Sequence, residues 1–179
     1  MNRPDDNELI ERCIRGDRQA FEILLVRYEK PVYNAAYRML NSPDDARDVT
    51  QTVFLKVFEH FDQYDSKRRF FSWIYRITLN ECINWLKKTN RLDPLERDMA
   101  DDGGGPDDEA SNEQLSQGLQ AAMMTISPDY RAVITLKHVL GCSYPEISSI
   151  LDIPEQKVKS RLYSARQLLK ENLSKRGLH

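Results

Sequence analysis

The sequence predicts an all-α protein built from two small helical domains joined by a flexible acidic linker. Apolar residues recur every three or four positions through most of the 179-residue chain, and no segment shows the alternation of a strand. The pattern stops at the glycine run 103–105 and Pro106, which lie among aspartates and have nothing apolar to bury. We therefore assign residues 1–92 to the first domain, 93–112 to the linker and 113–179 to the second domain.

The first domain is predicted to contain four helices. Gly16 is placed to end the first, and Pro31 is expected to kink the second. Ser42 precedes Pro43 and two aspartates, a pattern typical of a capped helix start with carboxylates at the positive end of the dipole. Phe58 is expected to face inward with the other apolar residues of the third helix. The predicted bounds are 6–15, 17–40, 42–61 and 69–89.

The second domain is predicted to end in a helix, a tight turn and a second helix. Two helices, 112–125 and 128–140, come before this pair. Ser143 and Glu146 have capping-box spacing, Asp152 tolerates the left-handed backbone of a tight turn, and Pro154 suits a helix start. One apolar stripe of the last helix is formed by Val158, Leu162, Ala165 and Leu169.

The opposite face of the last helix offers cations, hydroxyls and amides, which suit insertion into the major groove of DNA. An ordinary helical hairpin with a solvated basic face is the alternative. The net charge of the chain is only −2, but from residue 155 onward seven basic residues stand against two acidic ones. The residues of this face are Gln156, Lys159, Ser160, Tyr163, Ser164 and Gln167.

A second stretch, residues 64–91, interleaves basic and aromatic side chains. Basic groups follow a phosphate backbone, and aromatic faces stack on bases that have left the duplex, so the stretch favours binding of opened DNA. The loop 66–69 is too polar to be core, which favours a contact role. Burial in the core is the alternative for Phe70 and Trp73.

Three motifs resemble bacterial sigma factors. Residues 45–54, DARDVTQTVF, and 71–80, FSWIYRITLN, look like sigma region 2, and residues 144–166 look like the region 4 helix-turn-helix. The short chain, with only a linker between the two regions, resembles the extracytoplasmic-function (ECF) group.

The resemblance implies a role for each motif. Docking on the clamp coiled coil of RNA polymerase would use Asp45, Asp48 and Gln51, although a solvated helix face is the alternative. Recognition of the promoter −10 element and capture of a flipped base would use Lys67, Arg68, Arg69, Trp73, Arg76 and Asn80. Recognition of the −35 element would use Gln156, Lys159, Ser160, Tyr163 and Ser164, with Arg161 and Arg166 near the phosphates. Control by an anti-sigma factor is also implied.

Other classes of function explain less of the sequence. A conventional helix-turn-helix regulator would bind DNA tightly without polymerase, usually as a dimer, and leaves the basic-aromatic stretch unexplained. A metal-dependent hydrolase is disfavoured because the histidines are scattered and HExxH is absent. Three isolated cysteines and a polar N-terminus indicate a cytoplasmic protein with reduced thiols and no signal peptide. We predict no catalytic residue, metal or cofactor, and a monomer when the protein is free.

Overall fold

The computed structural model describes residues 4–92 and 109–175 of the chain. Within these ranges the protein contains eight α-helices, two short helical turns and no β-strand, which confirms the all-α prediction. Most of the predicted linker, residues 93–108, lies outside the described residues. The next helix begins at Glu109, three residues before its predicted start.

The N-terminal bundle is centred on its second helix. Its helices are α1 (Asp6–Ile14), α2 (Arg18–Leu40), α3 (Pro43–Glu59) and α4 (Phe70–Leu92). Helix α2 packs against the other three, and the chain makes a 3₁₀ turn at Phe61–Gln63 before α4. Asp17 caps α2 by accepting hydrogen bonds from two backbone N–H groups, and Ser42 caps α3 by accepting one.

Two details of this bundle differ from the prediction. The third helix ends at Glu59, so Phe61 reaches the core from the 3₁₀ turn rather than from the helix. Phe58, predicted to face inward, is 58% exposed, and its ring packs edge-on against that of Phe21 with 5.2 Å between centroids. Helix α2 continues without interruption through Pro31.

The C-terminal bundle contains the predicted helix-turn-helix. Its helices are α5 (Glu109–Met124), α6 (Pro128–Ile134), α7 (Tyr144–Leu151) and α8 (Glu155–Lys175). Ser143 and Glu146 form both halves of the capping box, and Asp152 ends α7 in the left-handed conformation at φ 55°. The predicted helix 128–140 is divided, because residues after α6 widen into a π-helical turn, Thr135–Val139. The predicted apolar stripe of α8 is buried.

The two bundles pack against each other, and polar groups at helix ends contribute to the contact together with buried apolar side chains. The last carbonyl groups of α2 lack the N–H partners of a continuing helix, except that of Tyr37, which accepts from the N–H of the cap residue Asn41. The amide of Gln120 donates to the carbonyl oxygens of Tyr37 and Arg38, and the buried guanidinium of Arg131 donates to that of Met39. Helix α4 lies against α7 on another side of the contact. Within 4–92 and 109–175, no helix combines the length and apolarity needed to cross a membrane.

Candidate nucleic-acid interface

The exposed face of α8 carries most of the residues predicted to read duplex DNA. Gln156, Lys159 and Ser160 are exposed near its start, and Tyr163 follows with 67% of its surface open to solvent. The Nζ atom of Lys159 lies 5.8 Å from the centre of the Tyr144 ring, on the preceding helix of the motif. The buried stripe holds α8 against the bundle, so these polar groups project from a rigid element.

Three other predicted residues of α8 are partly engaged within the protein. The Nη2 atom of Arg161 lies 2.9 Å from Oδ2 of Asp129 on α6, and Ser164 is half-buried beside this pair. Arg166 donates through Nε to Nε2 of His138, at 3.3 Å. Burial, followed by the charges of Arg166 and a neighbouring lysine, holds the pKa of His138 below its usual value. The neutral imidazole can therefore accept this bond.

The loop before α4 and the first turns of that helix surround an open cavity. Lys67, Arg68 and Arg69 are exposed on the loop. Trp73 is half-buried and lines a cavity of about 290 Å³, together with Arg68 and Arg76. Asn80 is exposed one turn beyond Arg76, on the same helix face. The structure thus gathers Arg68, Trp73 and Arg76 around one cavity, whereas Lys67, Arg69 and Asn80 are not among its lining residues.

The aromatic residues of this region divide between core and surface. Phe70 is buried and packs edge-on against Tyr28 and Tyr64, so the core alternative is correct for it. Trp73 contacts Phe70 and Tyr64 on one side while lining the cavity on the other. Tyr64 also lines the cavity, and its hydroxyl lies 2.8 Å from Oδ1 of Asn7, which ties the loop to α1.

Two of the predicted DNA-binding arginines contact the helix-turn-helix of the same chain. Arg69 places Nη1 at 2.6 Å from Oε1 of Glu146. Arg76 donates to two backbone carbonyl oxygens at the end of α7, through Nη2 to Ser149 at 2.6 Å and through Nε to Ile150 at 3.1 Å. Hydrogen bonds from Ser143, and then the Arg69 guanidinium, hold the pKa of Glu146 below its usual value, so this carboxylate is charged at neutral pH.

Helix α3 presents an exposed stripe that is acidic at one end and apolar at the other. Asp48 and Gln51 are exposed and Asp45 is half-buried. Leu55 and Phe58 continue the same helix face at spacings of three and four residues, and they are 62% and 58% exposed. We call Asp48, Gln51, Leu55 and Phe58 the α3 stripe. The sequence-based prediction of this surface did not include Leu55 and Phe58, although the sequence places them at helical spacing from Asp48.

The histidines, cysteines and carboxylates of the described residues do not gather into a metal-binding cluster, and the cysteines are unpaired. In residues 4–92 and 109–175, no group of three or more histidine, cysteine or acidic residues could hold a metal ion. The three cysteines are free thiols, and burial raises the pKa of Cys82 to about 12 and that of Cys142 to about 11. Thiols this weakly acidic are poor nucleophiles in the folded protein.

Comparison with known proteins identifies the family. The chain matches the models for Sigma-70 region 2 over residues 24–92 and Sigma-70, region 4, over residues 116–169. It is 32% identical over 176 residues to the ECF RNA polymerase sigma-E factor of Escherichia coli K12, covering 92% of each chain. It is 31% identical over 180 residues to the sigma-E factor of Haemophilus influenzae, covering 94% of this chain and 95% of that one.

Two solved structures share the fold. CnrH, in complex with the cytosolic domain of CnrY, matches with a TM-score of 0.74 and 24% identity, over 94% of this chain and 97% of that one. The sigma factor RpoE of Bartonella quintana, in complex with the anti-sigma factor NepR, matches with a TM-score of 0.72 and 23% identity, over 86% and 96%. Because the two family models match most of the chain and the curated relatives match more than nine-tenths of it, this protein belongs to the ECF RNA polymerase sigma factors.

Proposed function

We propose that this sigma factor divides promoter recognition among three surfaces. Helix α8 reads the −35 element, the loop and α4 around the cavity bind the opened strand of the −10 element, and the α3 stripe docks on core RNA polymerase. The domain bounds 1–92, 93–112 and 113–179 belong to the same proposal. The main support for this proposal is the cavity lined by Trp73 and two arginines, because a protein that read only duplex DNA through a helix would not need such a cavity.

The −35 assignment rests on the chemistry of the α8 face. Amide, ammonium and hydroxyl groups can reach base edges in the major groove, and a good bidentate contact contributes about 1–3 kcal/mol of discrimination. Arg161 and Arg166 lie nearer to the body of the domain, where Asp129 and His138 hold them. That position suits contacts to phosphates, which orient the helix without reading sequence.

The −10 assignment rests on the aromatic wall of the cavity. Stacking on an aromatic side chain contributes about 1–3 kcal/mol per base. Extrusion of a base costs on the order of a few kcal/mol, so capture against Trp73 would offset much of that cost. Arg68 and Arg76 stand beside the same cavity and would bind the phosphates on either side. Lys67, Arg69 and Asn80 extend this basic surface along the strand.

The docking assignment rests on the α3 stripe. Exposed leucine and phenylalanine side chains beside carboxylates are typical of a protein-binding surface rather than a solvated helix face. Asp45 and Asp48 would meet basic groups on the polymerase clamp, while Leu55 and Phe58 would lose their remaining contact with water. The apolar half therefore supplies affinity, and the acidic half sets orientation.

Two domains that each bind DNA weakly have a higher combined affinity for the promoter when one polymerase holds both of them. Each phosphate contact weakens steeply with salt, at a slope of about −0.9 for duplex DNA, so a small domain alone binds poorly at physiological salt. Attachment to the polymerase makes the second contact intramolecular. We propose that the free chain is a cytoplasmic monomer controlled by an anti-sigma factor. It contributes no catalysis, which belongs to the polymerase.

Run-off transcription with bacterial core polymerase on a pool of random-promoter templates tests the proposal. We expect promoter-specific transcripts only when both proteins are present. Trp73→Ala should abolish permanganate-reactive open complexes. Lys159→Ala should weaken promoter binding, whereas Lys175→Ala, at the end of α8, should not. Tight duplex binding by the chain alone, without polymerase-dependent transcripts, would instead favour a conventional helix-turn-helix regulator.

A further inference from the structure

We infer that Asn7 of helix α1 is a positioning residue for the opened −10 strand, acting through the hydroxyl group of Tyr64 on the wall of the cavity. The inference rests on the proposed function, because the cavity is the surface that we assign to that strand. It adds a role for α1, which lies outside the three recognition surfaces. Asn7 is not among the residues that line the cavity, so it acts through Tyr64 rather than by touching DNA.

The hydroxyl group of Tyr64 lies between α1 and the loop that precedes α4. Its oxygen is 2.8 Å from Oδ1 of Asn7 and 2.5 Å from the carbonyl oxygen of Arg68. A hydroxyl group has one hydrogen, so it donates to one of these oxygens at a time. A half-turn of the Asn7 amide brings Nδ2 to the position of Oδ1, and the amide then donates to the hydroxyl while the hydroxyl donates to Arg68. Asn7 and the loop are in this way joined by a chain of two hydrogen bonds.

Helix α1 gives this chain of hydrogen bonds a fixed point of attachment. Its apolar face is buried in the core of the bundle. The carboxylate of Asp6, one residue before Asn7, accepts a hydrogen bond of 2.5 Å from the hydroxyl group of Tyr28 and pairs with the guanidinium of Arg27, both on α2. The position of Asn7 is therefore set by the core of the bundle and not by the loop.

The protonation state of Tyr64 suits this role. Burial, followed by the charges of Asp6 and Asp5, raises the pKa of the Tyr64 hydroxyl above its usual value. The hydroxyl therefore keeps its hydrogen at neutral pH and can donate to the backbone of the loop.

Tyr64 connects α1 to the groups that we propose to hold the strand. Its ring centroid lies 5.4 Å from that of Trp73, and both rings line the cavity. Arg68, whose carbonyl oxygen the hydroxyl faces, lines the same cavity. One side chain thus touches both the proposed stacking residue and a proposed phosphate-binding residue. Functional groups are held in productive geometry by supporting hydrogen bonds of this kind, so their loss should let the loop move relative to Trp73.

Two single variants and their combination separate the hydrogen bonds from the ring contacts. Tyr64→Phe removes the hydroxyl group and keeps the ring against Trp73, and Asn7→Ala removes the amide. If both residues act through one chain of hydrogen bonds, the double variant should lose no more than either single variant. The matched controls, Tyr33→Phe and Asn34→Ala, make the same changes on α2 at positions that do not line the cavity.

The assay uses each full-length chain assembled with core polymerase. Permanganate reactivity measures open complexes on a promoter obtained from the random-promoter pool. Fluorescence anisotropy of the labelled sigma factor measures its affinity for polymerase, and urea titration checks that each variant is folded. A purely structural role would lower polymerase affinity together with promoter opening, whereas a positioning role lowers promoter opening alone.

We expect Tyr64→Phe and Asn7→Ala each to lower the equilibrium constant for promoter opening about three- to tenfold, as the loss of one hydrogen bond allows. The double variant should match the single variants, and the controls should match the parent. Parent-like opening in both single variants, with opening still abolished by Trp73→Ala, would overturn the inference and leave the proposed function intact. Additive losses in the double variant, or an equal loss of polymerase affinity, would also overturn it. Opening that is insensitive to Trp73→Ala would overturn the −10 assignment itself.

Discussion

Truncation of Leu55 is the sharpest test of the α3 stripe. The Leu55 side chain is 62% exposed, and full burial of a leucine contributes about 1.5–3 kcal/mol. Burial of the exposed fraction against the polymerase should therefore contribute about 1–2 kcal/mol, most of which Leu55→Ala removes. The expected result is a loss of about five- to thirtyfold in affinity for core polymerase.

Because Leu55 is exposed, its truncation should change polymerase binding with little effect on the stability of the fold. A substitution at an exposed helix position changes the free energy of unfolding by about 0.5 kcal/mol or less. Val26→Ala is the matched control. Val26 is 78% exposed on α2 and lies two residues after the buried Leu24, which places it on the other side of that helix. Its truncation should leave polymerase binding unchanged.

Fluorescence anisotropy of labelled sigma factor, titrated with core polymerase, measures both affinities. Urea unfolding of the same samples measures stability. Parent-like affinity for Leu55→Ala would refute the reasoning, since the apolar half of the stripe would then remain in water after docking. An equal loss for Val26→Ala would also refute it, because the effect would not be specific to the stripe.

Three further outcomes follow from the C-terminal bundle. Leu162→Ala leaves a cavity beneath α8 and should lower the free energy of unfolding by about 2–4 kcal/mol in urea titrations. Arg166→Ala should reduce the dependence of log K on log salt by about 0.9 for −35 duplex DNA bound by the polymerase complex, because this arginine is proposed to contact a phosphate. Burial raises the pKa of Cys142 from 9.0 to about 11, so folding favours the protonated thiol. The free energy of unfolding should therefore be insensitive to this thiol below about pH 9 and should fall as the pH rises from about 9 to about 11. Cys142→Ala should make that fall smaller when the free energy is measured by urea titration.

Local signals in the sequence were sufficient for most helix boundaries. The capping box at Ser143, the cap at Ser42 and the left-handed residue Asp152 all occur as predicted. Each of these features depends on side chains within a few residues of the backbone groups they serve, so the information is local. The π-helical turn after α6 carries no such signal in this sequence, and the predicted helix was therefore continuous where the real one widens.

Exposure and long-range contacts were harder to predict. Phe58 falls one residue after the buried Val57, and helical spacing alone does not tell which of two adjacent apolar residues lies at the edge of the core. The contacts of Arg69 and Arg76 join residues more than seventy positions apart. Their partners include backbone carbonyl oxygens, which are identical in every residue and leave no trace in a sequence pattern.

Polar groups and apolar side chains both hold the two bundles together. Arg76, Gln120 and Arg131 donate to carbonyl oxygens at helix ends, with the chemistry that arginine also offers to phosphate oxygens. Hydrogen bonds of this kind can be exchanged for bonds to water, with a net cost of about 0.5–1.5 kcal/mol each. Buried apolar residues of both bundles also belong to one core cluster, and water offers no substitute for apolar contacts. Separation of the bundles would therefore be opposed more by the loss of the apolar contacts than by the loss of the hydrogen bonds.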